Sequence, residues 1–388
     1  MDFAIPEELQ RLRESARRFV DEELMPLEAE FGDAPDLPDP VRARLQQRAK
    51  ALGFWAFDIP EDYGGGGIGA LGNCLVLEEL GRCTVPAFRA PAVFTPFLGP
   101  VLFHGTPEQQ DRYLRPVIAG SKRTCFALTE ASGGSDPAAM ATRAIRDGDH
   151  WVINGTKIFI TGADKADFVQ LFARTEGTGR QGITCFLVDK GTPGLRLGQR
   201  FELMSPDRPW ELVFDNVRVH QRQVVGEVGK GWELAREFLD RGRLVHGPKA
   251  VARAQRALEM AIAFATQRKT FGAPLASRQA IQWMVADSQL DIHTTRLLVY
   301  HAAWRCDQGL PYHTEASMVK LHADDMLLRV LDRAIQIHGG MGLSKELPLE
   351  VMYRDARSRL ITEGSQEMQR IIISGELLAG KAEVDRWA

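Results

Sequence analysis

The sequence predicts a mainly α-helical protein with a β domain at its centre: an N-terminal helical domain (1–120), a middle antiparallel β domain (121–228) and a C-terminal four-helix bundle (229–388). Two observations predict this order. Apolar residues recur every three or four positions towards both ends of the chain, which is the spacing of an amphipathic helix. Between them lie short β-prone runs with no helix-length pattern separating them, which favours an antiparallel sheet over βαβ units.

The N-terminal region is predicted to open with an amphipathic helix. Pro6 precedes two acidic residues, as in many first helical turns, and apolar residues then line one face from Leu9 to Leu24. Breakers follow in two clusters, at 33–40 with three prolines and at 64–67 with four glycines. Both clusters predict loops.

The middle region is marked by short runs of β-prone residues. Asp147-Gly148 precedes the first run and predicts a hairpin, and Asn154-Gly155 predicts a tight turn. The predicted strands lie at 151–153, 157–160, 168–172, 183–188 and 212–219.

The C-terminal region returns to helical spacing. Positions 251–265 keep this spacing, and positions 316–337 keep it for about six turns. Long antiparallel helices with short polar connections are typical of a four-helix bundle.

Composition excludes several classes of function. A net charge of -3 gives no long-range attraction to nucleic acid or anionic lipid, and no apolar run reaches the roughly 20 residues of a membrane span. The acidic N-terminus lacks the features of a targeting signal, so we expect a cytoplasmic protein. The five scattered cysteines form no CxxC pair, so we expect buried structural thiols and no metal site.

Five motifs could carry chemistry, and the first is residues 124–136. Here a β-prone run leads into a loop where Gly133 and Gly134 allow a ligand close to the backbone, while Thr129 and Ser135 offer hydroxyl groups. Such a loop suits the edge of a heterocycle or a phosphate. An ordinary polar turn has the same composition and is the preferred interpretation for the motif alone.

Three further motifs are equally ambiguous when taken singly. In 154–162, Phe159 could lie against a ring system or belong to the core. In 267–272, Arg268 could bind a diphosphate or satisfy the last carbonyls of a helix. The glycines of 336–342 could let a ligand approach or could end a helix.

The fifth motif, 361–370, contains a candidate general base. Glu363 is followed by Gly364 and lies at a break before a helix, between apolar segments. Burial of such a carboxylate raises its pKa towards the working pH, as a general base requires. The alternative is a helix N-terminus, with Ser365 and Glu367 in the first turn.

Together, and in this order, the five motifs resemble the acyl-CoA dehydrogenase family over roughly residues 5–380. The resemblance implies a β barrel for the middle domain, with FAD bound between that domain and the C-terminal bundle. It also implies FAD-dependent α,β-dehydrogenation of an acyl-CoA thioester to the trans-2-enoyl-CoA, in lipid or carboxylic acid catabolism. Reduced flavin would pass its electrons to an electron-transferring flavoprotein.

The resemblance also assigns binding residues. Phe159 stands where many family members carry Trp. Seven residues match positions that hold the diphosphate and adenosine of FAD in the family and reach a neighbouring subunit's cofactor, which implies a homodimer or homotetramer: Arg268, Thr270, Phe271, Gln279, Gln336, Gly339 and Gly340. Expected FAD contacts are Phe126, Leu128, Thr129, Gly134, Ser135, Phe159, Thr161, Arg268, Thr270, Phe271, Gln279, Gln336, Gly339, Gly340, Ser365 and Glu367. Expected substrate contacts are Ser135, Asp240, Arg243 and Gly364.

Glu363 matches the family's catalytic base. Some members carry the base on another helix, but the corresponding position here is Gly242, which has no side chain to act as a base. In the family the glutamate takes the α-proton and flavin N5 accepts the β-hydride. The thioester oxygen receives hydrogen bonds from the backbone N–H of the glutamate and a ribityl hydroxyl of FAD.

Two segments depart from the family pattern. Residues 86–100, where the family shapes the acyl pocket, hold four prolines and three phenylalanines. We therefore expect no regular helix there and a pocket for a branched, aromatic or polycyclic acyl group. Residues 203–210 form a long loop that either borders the coenzyme A site or is a surface insertion.

Two other functions stay open at this point. One is an acyl-CoA oxidase or flavin monooxygenase that uses oxygen on the same fold, and the other is a non-catalytic flavin-binding subunit with an active partner. Glu363 favours dehydrogenation, because flavin monooxygenases of this fold usually lack the glutamate.

Overall fold

The computed structural model describes residues 4–86 and 92–382, and the predicted order of helical, β and helical regions is confirmed. Part of the proline-rich segment, 87–91, lies outside the described residues. Its remaining stretch, 92–99, contains no regular helix, as its prolines predict. None of the described helices is both long enough and apolar enough to cross a membrane.

The N-terminal region is helical and builds its own apolar core. Its first helix begins after Pro6, buries Ala16 and Phe19, and continues into a π-helical turn, Val20–Leu24. The Phe19 ring lies 5.0 Å from the ring of Phe94. The helices are α1 (Glu7–Phe19), α2 (Glu28–Phe31), α3 (Asp39–Ala51), α4 (Gly69–Leu80), α5 (Pro107–Gln109) and α6 (Arg115–Ala119).

Eight strands of the middle region form one sheet. They pair in the order β6-β7-β3-β2-β4-β5-β8, with β1 beside β4. The strands are β1 (Thr124–Ala127), β2 (Arg143–Asp147), β3 (His150–Ile160), β4 (Phe168–Arg174), β5 (Ile183–Asp189), β6 (Leu195–Arg200), β7 (Trp210–His220) and β8 (Val224–Val225).

The sheet corrects three expectations. It is not purely antiparallel, because β1 pairs with β4 in parallel, which the long connection through β2 and β3 permits. The pairing path ends at β6 and β8 without closing within the described residues, so the barrel is not confirmed. Asn154-Gly155 is no turn but a register shift inside β3, where a Cβ on Gly155 would lie 2.6 Å from the Thr142 Cα.

Strand β4 is buried on both faces and joins two cores. Phe168 and Phe172 point into a core shared with the N-terminal region. Val169 and Leu171, which alternate with them, point into a core inside the β region. The sheet is therefore anchored on the N-terminal helices by one face.

Three long helices dominate the C-terminal region, and two shorter ones pack against them. Pro248 does not end the first helix, which runs for 37 residues. The region contains α7 (Gly231–Gln267), α8 (Gln279–Asp307), α9 (His313–His338), α10 (Leu349–Arg359), α11 (Gln366–Leu378) and a small hairpin of β9 (Lys269–Thr270) and β10 (Ala273–Pro274). With five helices described here, the predicted four-helix bundle is not confirmed. Helix α4 packs on α7 and α8, which joins the two helical regions.

Candidate active site

A cleft of about 1480 Å³ lies where the β region meets the C-terminal helices. Most of its lining residues come from five segments that are distant in the sequence. These are the loop after β1, the end of β3, the loop before β7, one face of α7 and the chain from the end of α10 into α11.

Glu363 lies in this cleft, in the break between α10 and α11. Its backbone is left-handed, with φ of 55°, and Gly364 follows with φ of 96°. The Glu363 carbonyl accepts hydrogen bonds from Arg243 Nε at 3.4 Å and Gln369 Nε2 at 3.3 Å. A strained backbone held by side-chain donors is common at functional sites, because it aims a side chain in one direction.

The Glu363 carboxylate faces helix α7 across the position of Gly242. A Cβ atom at residue 242 would overlap Glu363 Oε2 and lie 2.8 Å from Cδ. The side chain is one-third exposed, yet Oε2 is buried and makes no hydrogen bond to any described residue. His246 Nε2 lies 3.6 Å from this oxygen, beyond hydrogen-bond distance.

The charged groups around Glu363 shift its pKa in the direction opposite to the one expected from burial alone. Burial acts to raise the pKa of its carboxyl, but the positive charges of His246, then Lys249 and Arg243, outweigh burial and hold the pKa below its ordinary value. The prediction that burial raises this pKa is therefore wrong. The three cations follow at helical spacing on α7, on the helix face that meets Glu363.

Aromatic rings form an apolar wall in another part of the cleft. The ring of Phe126 stacks on that of Phe238 at 4.0 Å between centroids, and its centroid lies 4.8 Å from that of the tilted Phe172 ring. Phe159 is half-exposed, with φ of 57°, and its ring lies 4.6 Å from that of Phe201. Flat apolar surfaces of this kind suit a planar ring system.

A buried ion pair fixes the loop that follows β1. Lys157 Nζ donates to Glu130 Oε1 and to the Leu128 carbonyl, both at 2.8 Å, and its side chain is fully buried. Glu130 also accepts hydrogen bonds from the backbone N–H groups of Ala141 at 2.6 Å and Thr142 at 3.0 Å. Burial lowers the pKa of Lys157 to about 8, against the opposing charge of Glu130. The pair ties both ends of this loop to β3.

Comparison with known proteins matches the whole layout to one family. Family models described as acyl-CoA dehydrogenase N-terminal, middle and C-terminal domains match residues 6–121, 125–217 and 229–378. The mitochondrial short-chain specific acyl-CoA dehydrogenase of Bos taurus is 38% identical, covering 96% of this chain and 91% of its own.

Two further comparisons match the chain to the same family. The (R)-benzylsuccinyl-CoA dehydrogenase of Thauera aromatica is 38% identical, covering 97% of both chains. The structure of butyryl-CoA dehydrogenase from Megasphaera elsdenii superposes with a TM-score of 0.86 at 33% identity, covering 97% of this chain and 100% of the other.

The chain belongs to the acyl-CoA dehydrogenase family. Acyl-CoA dehydrogenases are oxidoreductases, so this chain is an enzyme of that class. The resemblance inferred from the five motifs is confirmed.

The cleft brings together most of the site residues predicted for this acyl-CoA dehydrogenase. Asp240 lies beside the cleft and accepts hydrogen bonds from Arg243 at 2.8 Å and His313 at 2.7 Å. Ser365 lines the cleft and also caps α11, because its Oγ accepts from the Met368 N–H at 3.4 Å. The predicted residues that line the cleft are Phe126, Leu128, Thr129, Gly134, Ser135, Phe159, Thr161, Arg243, Glu363, Gly364 and Ser365.

A second group of predicted residues does not line this cleft. Its members lie on the β9–β10 hairpin, at the start of α8 and at the end of α9, and they gather at one end of the C-terminal helices, where Phe264 meets His338 at 4.6 Å. Glu367 is also outside the cleft, exposed in the first turn of α11. The group comprises Arg268, Thr270, Phe271, Gln279, Gln336, Gly339 and Gly340.

Sequence reasoning missed His246 and Lys249, whose charges act on Glu363, and Asp324, which contacts His246. A signal was available for the first of them. His246 lies four residues after Gly242, so both share the helix face that meets Glu363. The long loop at 203–210 borders the cleft. Its lining residues are Leu203, Met204, Asp207 and Pro209.

Replacing Gly242 by alanine is expected to lower kcat/KM for an acyl-CoA by about 10²-fold, because a displacement of about 1 Å at a catalytic group can cost that much. The new methyl group would displace the flexible Glu363 carboxylate rather than the backbone, so the Tm should change little. Steady-state kinetics and thermal unfolding measure the two effects.

A shorter acid provides the control for this substitution. In a Glu363→Asp background the methyl group has less to displace, so adding Gly242→Ala should cause a smaller further loss of kcat/KM. Equal losses in both backgrounds would show that the methyl group does not act through the carboxylate.

Proposed function

We propose that this chain catalyses FAD-dependent α,β-dehydrogenation of an acyl-CoA thioester to the trans-2-enoyl-CoA, with Glu363 as the base that takes the α-proton. The observation that carries the proposal is the Glu363 carboxylate, held ionised in the cleft with Oε2 buried and without a hydrogen-bond donor. An ionised carboxylate in the cleft can accept a proton from a bound substrate, as a general base must.

The residues of the cleft fit an FAD molecule. Phe126 adds apolar surface to the cleft, and the half-exposed Phe159 offers a flat face for a flavin ring. Thr129 and Ser135 offer hydroxyl groups for the polar edge of the flavin. Gly134 has no atom within 4 Å of the position of a Cβ, so the loop there stands open to a ligand. Bound FAD supplies the acceptor of the β-hydride at its N5.

The side chains around Glu363 then have distinct tasks. Arg243 and Gln369 fix the Glu363 backbone through its carbonyl, which aims the carboxylate across Gly242. In this proposal Asp240, Arg243 and Ser135 contact the coenzyme A portion. Glu363 removes the α-proton from an acyl group that these contacts orient.

Aromatic side chains in the cleft favour a bulky acyl group. Phe97 and Phe238 meet edge to face with centroids 5.6 Å apart and both line the cleft. The proline-rich segment that carries Phe97 is not helical over 92–99, and the Thauera aromatica relative is named for an aromatic, branched acyl group. We therefore propose a branched, aromatic or polycyclic acyl-CoA as substrate.

We propose a homodimer or homotetramer in which the β9–β10 hairpin contacts a neighbouring subunit. Phe271 at the hairpin tip is 99% exposed, with φ of 50° followed by 77° at Gly272. A bulky residue at positive φ is strained, and in an isolated chain the Phe271 ring is exposed to solvent, with Arg278 Cζ 5.9 Å from its centroid. Burial in a partner would offset both costs.

A stripe on α8 supports the same oligomer. Four exposed apolar side chains recur at intervals of seven residues, which places them along one side of the helix. A continuous exposed stripe of this kind is typical of a protein–protein interface. The stripe comprises Trp283, Leu290, Leu297 and Trp304.

Replacing Phe271 by aspartate is expected to weaken the oligomer and to lower FAD retention by at least about tenfold, since burial of such an aromatic side chain contributes roughly 1.5–3 kcal/mol. Light scattering after gel filtration and the ratio of flavin to protein absorbance measure both effects. Ile145→Asp, at another exposed apolar residue, is the control. An unchanged oligomer and unchanged flavin content would remove the hairpin from the interface.

The proposed function is tested by anaerobic titration of the purified protein with a panel of straight-chain, branched, aromatic and polycyclic acyl-CoAs. Bleaching of the visible flavin absorbance, and recovery of the colour on adding an electron-transferring flavoprotein, would support dehydrogenation with that acceptor. Bleaching by straight-chain acyl-CoAs alone would contradict the bulky substrate.

The same titration separates the other functions. A bound flavin that no thioester bleaches would point to an oxygen-using relative or to a subunit that needs an active partner. Folded protein that takes up no flavin would contradict the whole proposal.

A further inference from the structure

A buried pair of side chains, His246 on α7 and Asp324 on α9, lies directly behind Glu363. His246 Nδ1 is 3.0 Å from Asp324 Oδ2, and His246 Nε2 is 3.6 Å from Glu363 Oε2. The Asp324 side chain is fully buried and His246 is nearly so. The two ring nitrogens therefore point in opposite directions, one at the aspartate and one at the glutamate.

Asp324 is itself fixed from two sides. Arg359, the last residue of α10, donates from Nε to Asp324 Oδ1 at 3.1 Å and from Nη2 to the His246 carbonyl at 2.8 Å. Lys320, one turn before Asp324 on α9, lies 3.6 Å from its Oδ2. The orientation of the imidazole is thus determined by three helices rather than by one contact.

We propose that His246, oriented by Asp324, is a positioning residue that aligns the Glu363 carboxylate and keeps it ionised. The inference rests on the proposed function, since it concerns the base of that reaction. Imidazole Nε2 can donate the hydrogen bond that Glu363 Oε2 lacks, and a modest rotation of either side chain closes the distance of 3.6 Å.

Six charged side chains surround His246, and Asp324, Arg359 and Glu363 act on its pKa. Arg243 and Lys249 flank it on α7, Lys320 and Asp324 face it from α9, Arg359 faces it from α10, and Glu363 faces it from the following loop. Burial favours the neutral ring, but the Asp324 carboxylate outweighs burial and raises the pKa of His246 above its ordinary value. A protonated His246 then stabilises ionised Glu363, whose pKa is lowered.

The pair differs from a purely structural ion-pair network in its geometry. Arg359 and Lys320 already compensate the charge of Asp324, so stability alone does not require an imidazole between Asp324 and Glu363. The imidazole of His246 lies between the carboxylates of Asp324 and Glu363, where it can hold a proton between the two acids.

The positioning role of His246 is tested by measuring the rate of anaerobic flavin reduction against pH. The acid limb of kcat/KM follows ionisation of Glu363, and loss of an adjacent positive charge raises its pKa. His246→Gln should therefore move the acid limb to higher pH by about one to three units. Asp324→Asn should move it in the same direction by less. His322→Gln and Asp325→Asn, both on α9, are the matched controls and should leave it in place.

A second measurement needs no turnover and keeps the inference testable if a variant is unstable or no substrate is found. Hydrogen exchange at the imidazole C2 carbon, read by mass spectrometry, reports the pKa of each histidine in the FAD-loaded protein. Glu363→Gln should lower the pKa of His246 and leave that of His322 unchanged.

Different outcomes of these measurements contradict the positioning role and the proposed function. An unchanged His246 pKa in Glu363→Gln, or a His246→Gln enzyme with the wild-type acid limb, would overturn the positioning role. Absence of flavin reduction by every acyl-CoA tested would contradict the proposed function instead, whatever the histidine pKa shows.

Discussion

Replacing Glu363 by glutamine is expected to lower kcat/KM for an acyl-CoA by about 10²- to 10⁴-fold, the usual contribution of a general base. Glutamine has nearly the same shape and fits across Gly242, but its amide does not accept the α-proton. Arg243 and Gln369 bond the backbone carbonyl of residue 363, so the local fold should persist. Stopped-flow measurement of flavin bleaching reports the loss directly.

Binding must survive for this result to identify a base. Glu363→Gln should retain FAD and should still bind the acyl-CoA, which is read from a shift of the flavin spectrum without bleaching. Glu346→Gln, at an exposed glutamate in the same region, is the control and should bleach at the wild-type rate. Substantial bleaching by Glu363→Gln would mean that another group removes the proton.

Replacing Lys157 by methionine is expected to destabilise the fold by about 3–5 kcal/mol, because it leaves the buried Glu130 charge without its cation. Two backbone N–H groups still bond Glu130, but the tie between the Leu128 carbonyl and β3 is lost. The loop that carries Thr129 and Ser135 should loosen, so FAD affinity should fall as well. Urea unfolding and flavin titration measure the two effects.

A double substitution isolates the buried pair. Lys157→Met combined with Glu130→Gln removes both charges, so it should be less destabilised than Lys157→Met alone. Lys190→Met, at an exposed lysine after β5, should change the free energy of unfolding by less than about 0.5 kcal/mol. If Lys157→Met were as stable as the wild type, the pair would not hold the loop.

Elements with strong periodicity were predictable from the sequence because each depends on local spacing. The helical stripes from Leu9 and within 251–265 and 316–337 all lie in observed helices. The break at Glu363 was also local, since Gly364 follows it. The motifs around it were ambiguous singly, and only their order along the chain identified the family.

Features that depend on distant partners were not predictable in this way. Strand β1 pairs in parallel with β4 across 40 intervening residues, and no local pattern encodes that choice. The same holds for α7, which continues through Pro248 because the packing of α4, α8 and α9 against it outweighs one lost hydrogen bond.

By itself the sequence determined the order of helical and β regions, the family and the candidate base Glu363. The tertiary structure alone decided the state of that base. Its pKa follows from His246 and Lys249, more than 110 residues earlier in the chain, and from the space that Gly242 leaves. Electrostatic interactions depend on distance and burial in space, which only the folded chain defines.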